Sequence, residues 1–461
     1  MNTAPDWVQD AVFYQIFPER FANGDPGNDP AWVLPWGTPP TPQTFMGGDL
    51  QGILDHMPYL RELGINAIYT TPIFAARSNH KYDTTNYFKV DPTFGDLDLL
   101  KRLVRAAHDN GMRIILDAVF NHCGDGFWAF QDVMARGSAS QYRDWFMLDD
   151  LPVTQDPPNY QTCGGAGFLP KLNIANPEVC RHLLDAAAYW LKETGMDGWR
   201  LDVPWKVPLD FWREFRQVVK SIRPDAYIVA ESWRDPLYWL QGDTCDGVMN
   251  YPYRDYILDY CVRDAMDAED FDHFTRRLLA DYGPLAPAQL NLVGSHDTAR
   301  ILTVCGENSA RAGLAFLCLL TGVGAPMIYY GDENGMSGAN DPDCRRCMEW
   351  DATKWNRGIR GAVQKLIALR RAHPALRAGS YESLLTFNGV YAFRRWLEAD
   401  RVVVVINPRN AQKGLRIPLP GEGDGEWVDV LSGRRFTGRA GQLVLPILEA
   451  QQGLALIPLN R

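Results

Sequence analysis

The chain has 461 residues, 46% of them hydrophobic, too long for one ordinary core and suited to a large domain plus a smaller one. Its formal net charge is −10 with a pI near 5.4, and no basic block interrupts it, which argues against nucleic acid or an acidic membrane surface as a partner. No apolar run reaches the ~18 residues of a transmembrane helix.

Nine cysteines, odd in number and scattered in spacing, do not form a disulfide framework. Cys344 and Cys347 make a C-x-x-C, but no second pair or neighbouring His completes a zinc site. Residues 1–7 lack the basic and apolar regions of a secretion signal. Free thiols and no signal place the expected protein in the cytoplasm.

Eight short apolar runs with strand character follow in order: Ala11–Phe17, Ala67–Ile73, Arg113–Phe120, Gly198–Val203, Tyr227–Ser232, Gly247–Tyr251, Leu290–Ser295 and Ala325–Gly331. Helical patterns lie between them at Gly52–Leu63, Asp96–Asn110, Pro177–Thr194, Pro208–Ile222, Ala265–Tyr282 and Arg311–Thr321, and after the last run at Ile359–His373. Alternating strand and helix predicts parallel βαβ units, and eight of them predict an α/β fold, a closed (β/α)8 TIM barrel with its chemistry at the carboxyl ends of the strands. The rival, an open doubly wound sheet, has no Gly-x-Gly-x-x-Gly after an early strand to support it. Residues 121–176 are rich in Gly, Pro, Asp and aromatics, a long insertion of the kind that is usually functional. They are expected to form a small excursion domain after strand 3, leaning over the barrel mouth. The barrel then comprises residues 1–120 and 177–376. After residue 376 the helical patterns stop. Runs at Tyr391–Leu397, Arg401–Asn407, Leu415–Pro418, Glu426–Leu431, Gln442–Leu445 and Gly453–Pro458 predict a C-terminal all-β sandwich domain over 377–461.

Collecting the strand ends gives a chemical set. In Gly198–Val203, Arg200 and Asp202 alternate with apolar residues and share one face. An Arg beside a carboxylate favours its ionised form, so Asp202 is expected to stay charged and nucleophilic. The run Tyr227–Ser232 presents Glu231 in the same way. Strand three leads to Asn121 and His122, and strand seven to His296 and Asp297. Three acids, two His and one Arg at one barrel mouth suit glycoside hydrolysis, which needs one ionised carboxylate to attack the anomeric carbon and one protonated carboxyl to release the leaving oxygen.

Four ordered motifs make the reading specific: Asp117-Ala-Val-Phe-Asn-His122, Gly198-Trp-Arg-Leu-Asp202, Glu231 ending its strand, and Val293-Gly-Ser-His-Asp297. Together they resemble the α-amylase family of retaining glycoside hydrolases. The resemblance implies Asp202 as nucleophile, Glu231 as general acid/base and Asp297 as the third acid, with Arg200, His122 and His296 around the same sugar. Tyr82 is similar to the family's stacking aromatic, and Asp341 with Arg345 to a neighbouring sugar-binding pair. Leu169-Pro-Lys-Leu-Asn173 resembles the signature of the neopullulanase, cyclomaltodextrinase and maltogenic amylase group, implying maltooligosaccharides, cyclodextrins or pullulan as substrates, cleaved at α-1,4 bonds, with α-1,6 bonds a further candidate and transglycosylation a candidate side reaction. That group carries an N-terminal β-domain used in dimerisation, whereas the first strand here begins by residue 11. The expectation is therefore a monomer, or a dimer built differently. Pro204-Trp205-Lys206 stands where the group has Ala-Asn-Glu, on the leaving-group side.

Alternatives of the same fold are an α-glucosyltransferase or an oligo-1,6-glucosidase. From another class comes a silent carbohydrate-binding protein, against which the three acids speak. A separate constellation, Asn23-Gly-Asp25-Pro-Gly-Asn28-Asp29, offers the oxygens that a hard cation such as Ca2+ takes, although a polar turn looks the same. Here too the sequence resembles a calcium loop of that subgroup, which implies Asn23, Asp25, Asn28, Asp29, the Gly47 carbonyl and Asp49 as ligands in a structural role.

Overall fold

The computed structural model describes residues 4–459. Eight parallel strands close into a barrel: β1 (Phe13–Ile16), β2 (Ala67–Thr70), β3 (Arg113–Ala118), β4 (Gly198–Leu201), β5 (Tyr227–Ser232), β6 (Gly247–Asn250), β7 (Leu290–Leu292) and β8 (Ala325–Tyr329). β8 pairs back onto β1, Phe13 opposite Met327. Each strand lies within one of the eight expected runs, and several stop short of the run's carboxyl end, leaving the last residues of the run to form the mouth.

Period-two alternation sorts the side chains. Phe13, Ala67, Tyr69, Ile115, Val229, Met249, Leu290, Leu292 and Met327 form an inner core that fills the barrel. Tyr14, Ile16, Ile68, Ile114, Leu116, Trp199, Leu201, Ile228 and Val248 face outward into the layer between strands and helices. These strands are covered on both sides, which is why they read as nearly continuous apolar runs. Glycine is required at the start of β4: a Cβ on Gly198 would fall 2.1 Å from the Tyr227 carbonyl oxygen, so only glycine lets β4 and β5 meet there.

The helix at Pro177–Thr194 matches its expected bounds, and most others shift by one to three residues. The expected helix Gly52–Leu63 is two helices, Leu50–Asp55 and Met57–Leu63. Pro58 lacks the N–H that would continue the ladder and its ring would clash with the preceding turn. A further helix, Tyr251–Cys261, follows β6 without a loop.

Between β3 and Pro177, the segment holds one helix, Trp128–Arg136, and two 3₁₀ turns. Isolated bridges knit it together, and one of them, His122 to Lys171, fastens it to the mouth. Phe130 is its hub, with Phe146 and Tyr160 rings at 5.0 and 5.1 Å.

The C-terminal strands are β9 (Ser380–Phe387), β10 (Val390–Leu397), β11 (Asp400–Asn407), β12 (Gln412–Pro418), β13 (Gly425–Asp429), β14 (Arg435–Arg439), β15 (Gln442–Leu448) and β16 (Gln452–Pro458). They form one antiparallel sheet in the order β9-β10-β11-β16-β13-β14-β15-β12. Val403, Ile417, Trp427, Phe436, Leu445 and Leu456 share a single core, so the sheet folds over itself as a sandwich does. β9 and β14 are additions to the six runs expected. The domain is tied to the barrel by Arg395, which donates to the Thr321 and Gly322 carbonyls at 3.0 and 2.9 Å.

Candidate active site

Every strand that the acids close delivers its carboxylate to one mouth. Arg200, on β4, is wholly buried and is the hub. Its Nη1 donates to both oxygens of Asp117 at 3.0 and 3.1 Å and to Asp202 Oδ1 at 2.8 Å. Its Nη2 lies 3.0 Å from Glu231 Oε2. The register explains the convergence, because Asp117 on β3 sits directly opposite Arg200 in the parallel ladder.

Beyond β4 the chain turns sharply. Asp202 keeps one ladder bond, its N–H to the Ala118 carbonyl at 3.1 Å. Val203 then adopts φ 35°, ψ 50°, a left-handed conformation that a β-branched residue rarely takes and that costs on the order of 1–3 kcal/mol. The turn aims the Val203 N–H at Glu231 Oε2, 2.9 Å away. The other Glu231 oxygen accepts from Trp233 Nε1 at 2.7 Å. Trp233 is itself stacked on Tyr251 with ring centroids 3.8 Å apart.

A second group surrounds His296. Gln15 Nε2 donates to His296 Nδ1 at 2.8 Å, which leaves the ring proton on Nε2. That proton faces the Tyr82 hydroxyl at 2.6 Å and Asp297 Oδ2 at 3.2 Å. Tyr82 in turn donates to Asp117 Oδ2 at 3.0 Å, beside Tyr69 at 2.7 Å. Arg345 reaches Asp297 at 3.3 Å and Asp341 at 3.1 Å. His122 Nδ1 accepts from Asn121 Nδ2 at 3.1 Å, and its buried Nε2 has no partner within the protein.

The electrostatics correct one expectation. Arg200 does pull Asp202 toward ionisation, but burial outweighs it, and Glu231 and Asp117 add repulsion, so the Asp202 carboxyl stands well above its usual range. Burial raises Glu231 too, with Arg200 pulling down and Asp297 pushing up. One guanidinium serves three carboxylates, so the cluster holds on to a proton. The imidazoles move the other way: burial takes His122 down to about 4 and, joined by Arg345 and Arg200, takes His296 well below its usual value. Both are neutral hydrogen-bonding groups at neutral pH.

The cleft over these groups measures about 390 Å³, and Tyr82, His122, Asp202, Glu231, His296, Asp297, Asp341 and Arg345 all line it. Arg200 lies beneath its floor. The excursion segment contributes Cys163, Phe168 and Leu169 to the wall, and the loop after β1 contributes Pro40, Thr41 and Pro42. Asp117, Tyr69, Gln15, Trp233 and Tyr251 complete the site. Gln15 and Tyr69 were detectable only as polar groups inside apolar runs, and Asp117 as the acid opening its motif.

The Asn23–Asp29 loop lies away from this cleft. Asn23 donates to both Asp29 oxygens at 2.9 Å, and Asp49 accepts from Gly24, Asp25, Asn28 and Gly52. The Asn23 and Asn28 side-chain oxygens are buried without a partner. A Cβ on Gly47 would fall 2.2 Å from Asp29 Oδ1, and its φ is +82°, so the backbone there approaches as closely as only glycine permits. Among the described residues no group of three or more His, Cys, Asp or Glu forms a metal cluster. A cation here would combine amide and carbonyl oxygens with the loop's carboxylates, and the two orphaned amide oxygens fit that demand.

Among the described residues, no helix is long and apolar enough to cross a membrane. The family model for the alpha amylase catalytic domain matches residues 15–372. A cyclomaltodextrinase from Geobacillus thermopakistaniensis is 49% identical over 96% of this chain and 76% of its own length. Neopullulanase 2 from Thermoactinomyces vulgaris is 47% identical over 98% of this chain and 78% of its own. Among solved structures, the cyclic alpha-maltosyl-(1→6)-maltose hydrolase of Arthrobacter globiformis superposes with a TM-score of 0.90 at 43% identity, covering 99% of this chain and 100% of that one. The carboxylate cluster at the barrel mouth and these likenesses agree: the chain belongs to the alpha-amylase family of glycoside hydrolases.

Proposed function

We propose that the protein is a retaining α-glucan hydrolase acting on cyclodextrins, short maltooligosaccharides and pullulan. The observation that carries this reading is the single guanidinium of Arg200 gripping Asp202 and Glu231 from below while both acids face one cleft. In the reactive arrangement the shared proton sits on Glu231 and Asp202 is ionised. Asp202 attacks the anomeric carbon as Glu231 gives its proton to the departing glycosidic oxygen, forming a glycosyl ester on Asp202. Glu231, now a carboxylate, takes a proton from water, whose oxygen displaces Asp202 from the same carbon. Two inversions restore the α configuration. A sugar hydroxyl in place of that water gives transglycosylation.

Asp297, braced by Arg345 and His296, is placed to hold the sugar's hydroxyls as the ring flattens. The unpartnered Nε2 of neutral His122 offers one more donor. The Tyr82 ring provides an apolar face for the sugar in the same subsite.

For the loop after β1 we propose a structural Ca2+ held by Asn23, Asp25, Asn28, Asp29, the Gly47 carbonyl and Asp49. Bound there, it would fasten a loop whose continuation, Pro40–Pro42, forms part of the cleft wall. The nine cysteines are all free thiols, which supports a reducing, cytoplasmic setting.

The test is Asp202→Asn. It should abolish release of reducing sugar from maltotriose while leaving the circular dichroism of the folded protein unchanged. Turnover near that of the unsubstituted enzyme would remove Asp202 from the mechanism.

A further inference from the structure

Between β2 and the helix Leu97–Asp109 the chain makes a short hairpin, Phe74–Ala76 against Thr84–Val90, and Tyr82 stands in its loop. The residue before it, Lys81, is 1% exposed. It is absent from the cleft lining, although Asn79, His80 and Tyr82 around it are all part of that lining. Lysine is almost never buried so completely unless its charge is met. Here Nζ lies 3.0 Å from Asp91 Oδ1 and donates to the Thr93 hydroxyl at 3.2 Å. The rings of Phe94 and Phe45 face it with centroids at 4.9 and 5.4 Å, close enough for cation–π attraction.

The socket is itself held in place. Asp91 is buried, and its carboxylate accepts from the Ala76 and Thr93 N–H groups at 2.9 and 3.0 Å and from the Thr93 hydroxyl at 2.6 Å. Above the socket the chain bends. Lys81 has φ +63°, in the left-handed region that a long side chain seldom adopts. Glycine would hold that bend at lower cost, so the backbone does not account for a lysine. What the bend achieves is a division between two consecutive side chains. The Lys81 ammonium enters the socket, while the Tyr82 hydroxyl meets Asp117 Oδ2 at 3.0 Å and His296 Nε2 at 2.6 Å, its ring 6° from parallel with the imidazole. The Lys81 N–H donates to Ser78 Oγ at 3.0 Å and the Tyr82 N–H to His80 Nδ1 at 3.1 Å. These bonds tie the two residues into one turn, and the ammonium fastens that turn to the body of the hairpin.

We infer that Lys81 is a positioning residue for the glycosidase reaction: its buried ammonium, clamped by Asp91 and Thr93, fixes the height and tilt of Tyr82 against the sugar being cleaved. The inference rests on the place given to Tyr82 in the hydrolase reading above. Tyr82 has two tasks there. Its ring faces the sugar, and its hydroxyl donates to Asp117, one of the three carboxylates that share Arg200. A turn released from the socket would let the ring draw back as the sugar flattens, and would loosen a donor that keeps Asp117 in its inner position. Both losses weigh on the transition state more than on binding, so they belong in kcat.

The test is a double-substitution cycle in kcat with maltotriose. Lys81→Met, which keeps the length and loses the charge, is made both in the unsubstituted enzyme and in Tyr82→Ala. Alone it should lower kcat about tenfold, since an ångström of misplacement costs up to about a hundredfold, and should move KM by less than about twofold. In Tyr82→Ala it should lower kcat no further, because the side chain it positions is gone. Thr93→Val removes one of the oxygens that hold the ammonium and disturbs the fold less. It should show the same pattern at about threefold, and it decides the matter if Lys81→Met does not fold. A fall of equal size in both backgrounds, as from a general loosening of the fold, overturns the inference, and so does an undiminished kcat in the single variants. Tyr82→Ala as active as the unsubstituted enzyme would instead overturn the place of Tyr82, and with it the reading on which the inference rests.

Discussion

The hydrogen bond from Trp233 to Glu231 makes a prediction whose sign and size both follow from geometry. Trp233→Phe keeps the stack on Tyr251 and removes the one N–H that reaches Glu231 Oε1 at 2.7 Å. That bond favours the carboxylate, and it is among the influences that pull the raised Glu231 downward. Without it, Glu231 should hold its proton to still higher pH. A hydrogen bond to a charged group is worth about 1.5–3 kcal/mol net. Trp233 is partly exposed and water can replace some of that, so the lower end applies, which is about one pH unit. The first chemical step requires the proton, so activity is present below the raised value and is lost as pH rises through it. The alkaline limb of kcat against pH with maltotriose should therefore move up by about one unit, whatever the height of the profile. The limb belongs to the Asp202–Glu231 pair as a whole, and removal of a donor moves the pair in the same direction. A limb that stays in place, or moves down, refutes the assignment of Glu231 as the proton donor held by Trp233.

Two further outcomes concern stability. Gly198→Ala would drive a methyl group into the Tyr227 carbonyl, backbone against backbone with no side chain to yield, and should cost about 3 kcal/mol; a urea midpoint equal to that of the unsubstituted protein would show that β4 and β5 are not so close. Calcium at about 100 times its dissociation constant should raise the thermal midpoint by the equivalent of about 2.7 kcal/mol, reversed by chelator and absent in Asp29→Ala, and a midpoint indifferent to calcium in the unsubstituted protein would leave the loop as a polar turn.

The barrel was legible because each strand is a short, nearly continuous apolar run, and the covered layers on both sides remove ambiguity about which residues belong. What escaped has specific causes. The helix Tyr251–Cys261 begins immediately after β6, whose last residue, Asn250, caps it, and it buries Tyr253, Ile257, Leu258 and Tyr260 around most of its circumference, so no amphipathic stripe announces it. β9 mixes Ser, Glu and Thr with half-buried apolar residues at a sheet edge, and β14 is bounded by arginines, so neither resembles a core strand. At the site, the acids at strand ends could be read directly. Gln15 and Tyr69 could not, since a single polar residue in a buried run is as often satisfied structurally as used.

The charge state was the least legible property, because it depends on how many partners share one cation. Seen along β4 alone, Arg200 and Asp202 form a simple pair, and the pair argues for an ionised acid. Across the barrel the same guanidinium also holds Asp117 and Glu231, and the three acids are buried together. Fully ionised, the group would carry two uncompensated negative charges away from water; one retained proton halves that excess. A retaining glycosidase needs that composition before substrate arrives, with one proton to give and one carboxylate to attack. Asp117 takes the inner position, held by Tyr69 and Tyr82 as well as Arg200, so the mobile proton is left to the two acids that face the cleft. The shortage of positive charge at the barrel mouth thus supplies the acid, and the donors around Glu231 then set the pH at which it lets go.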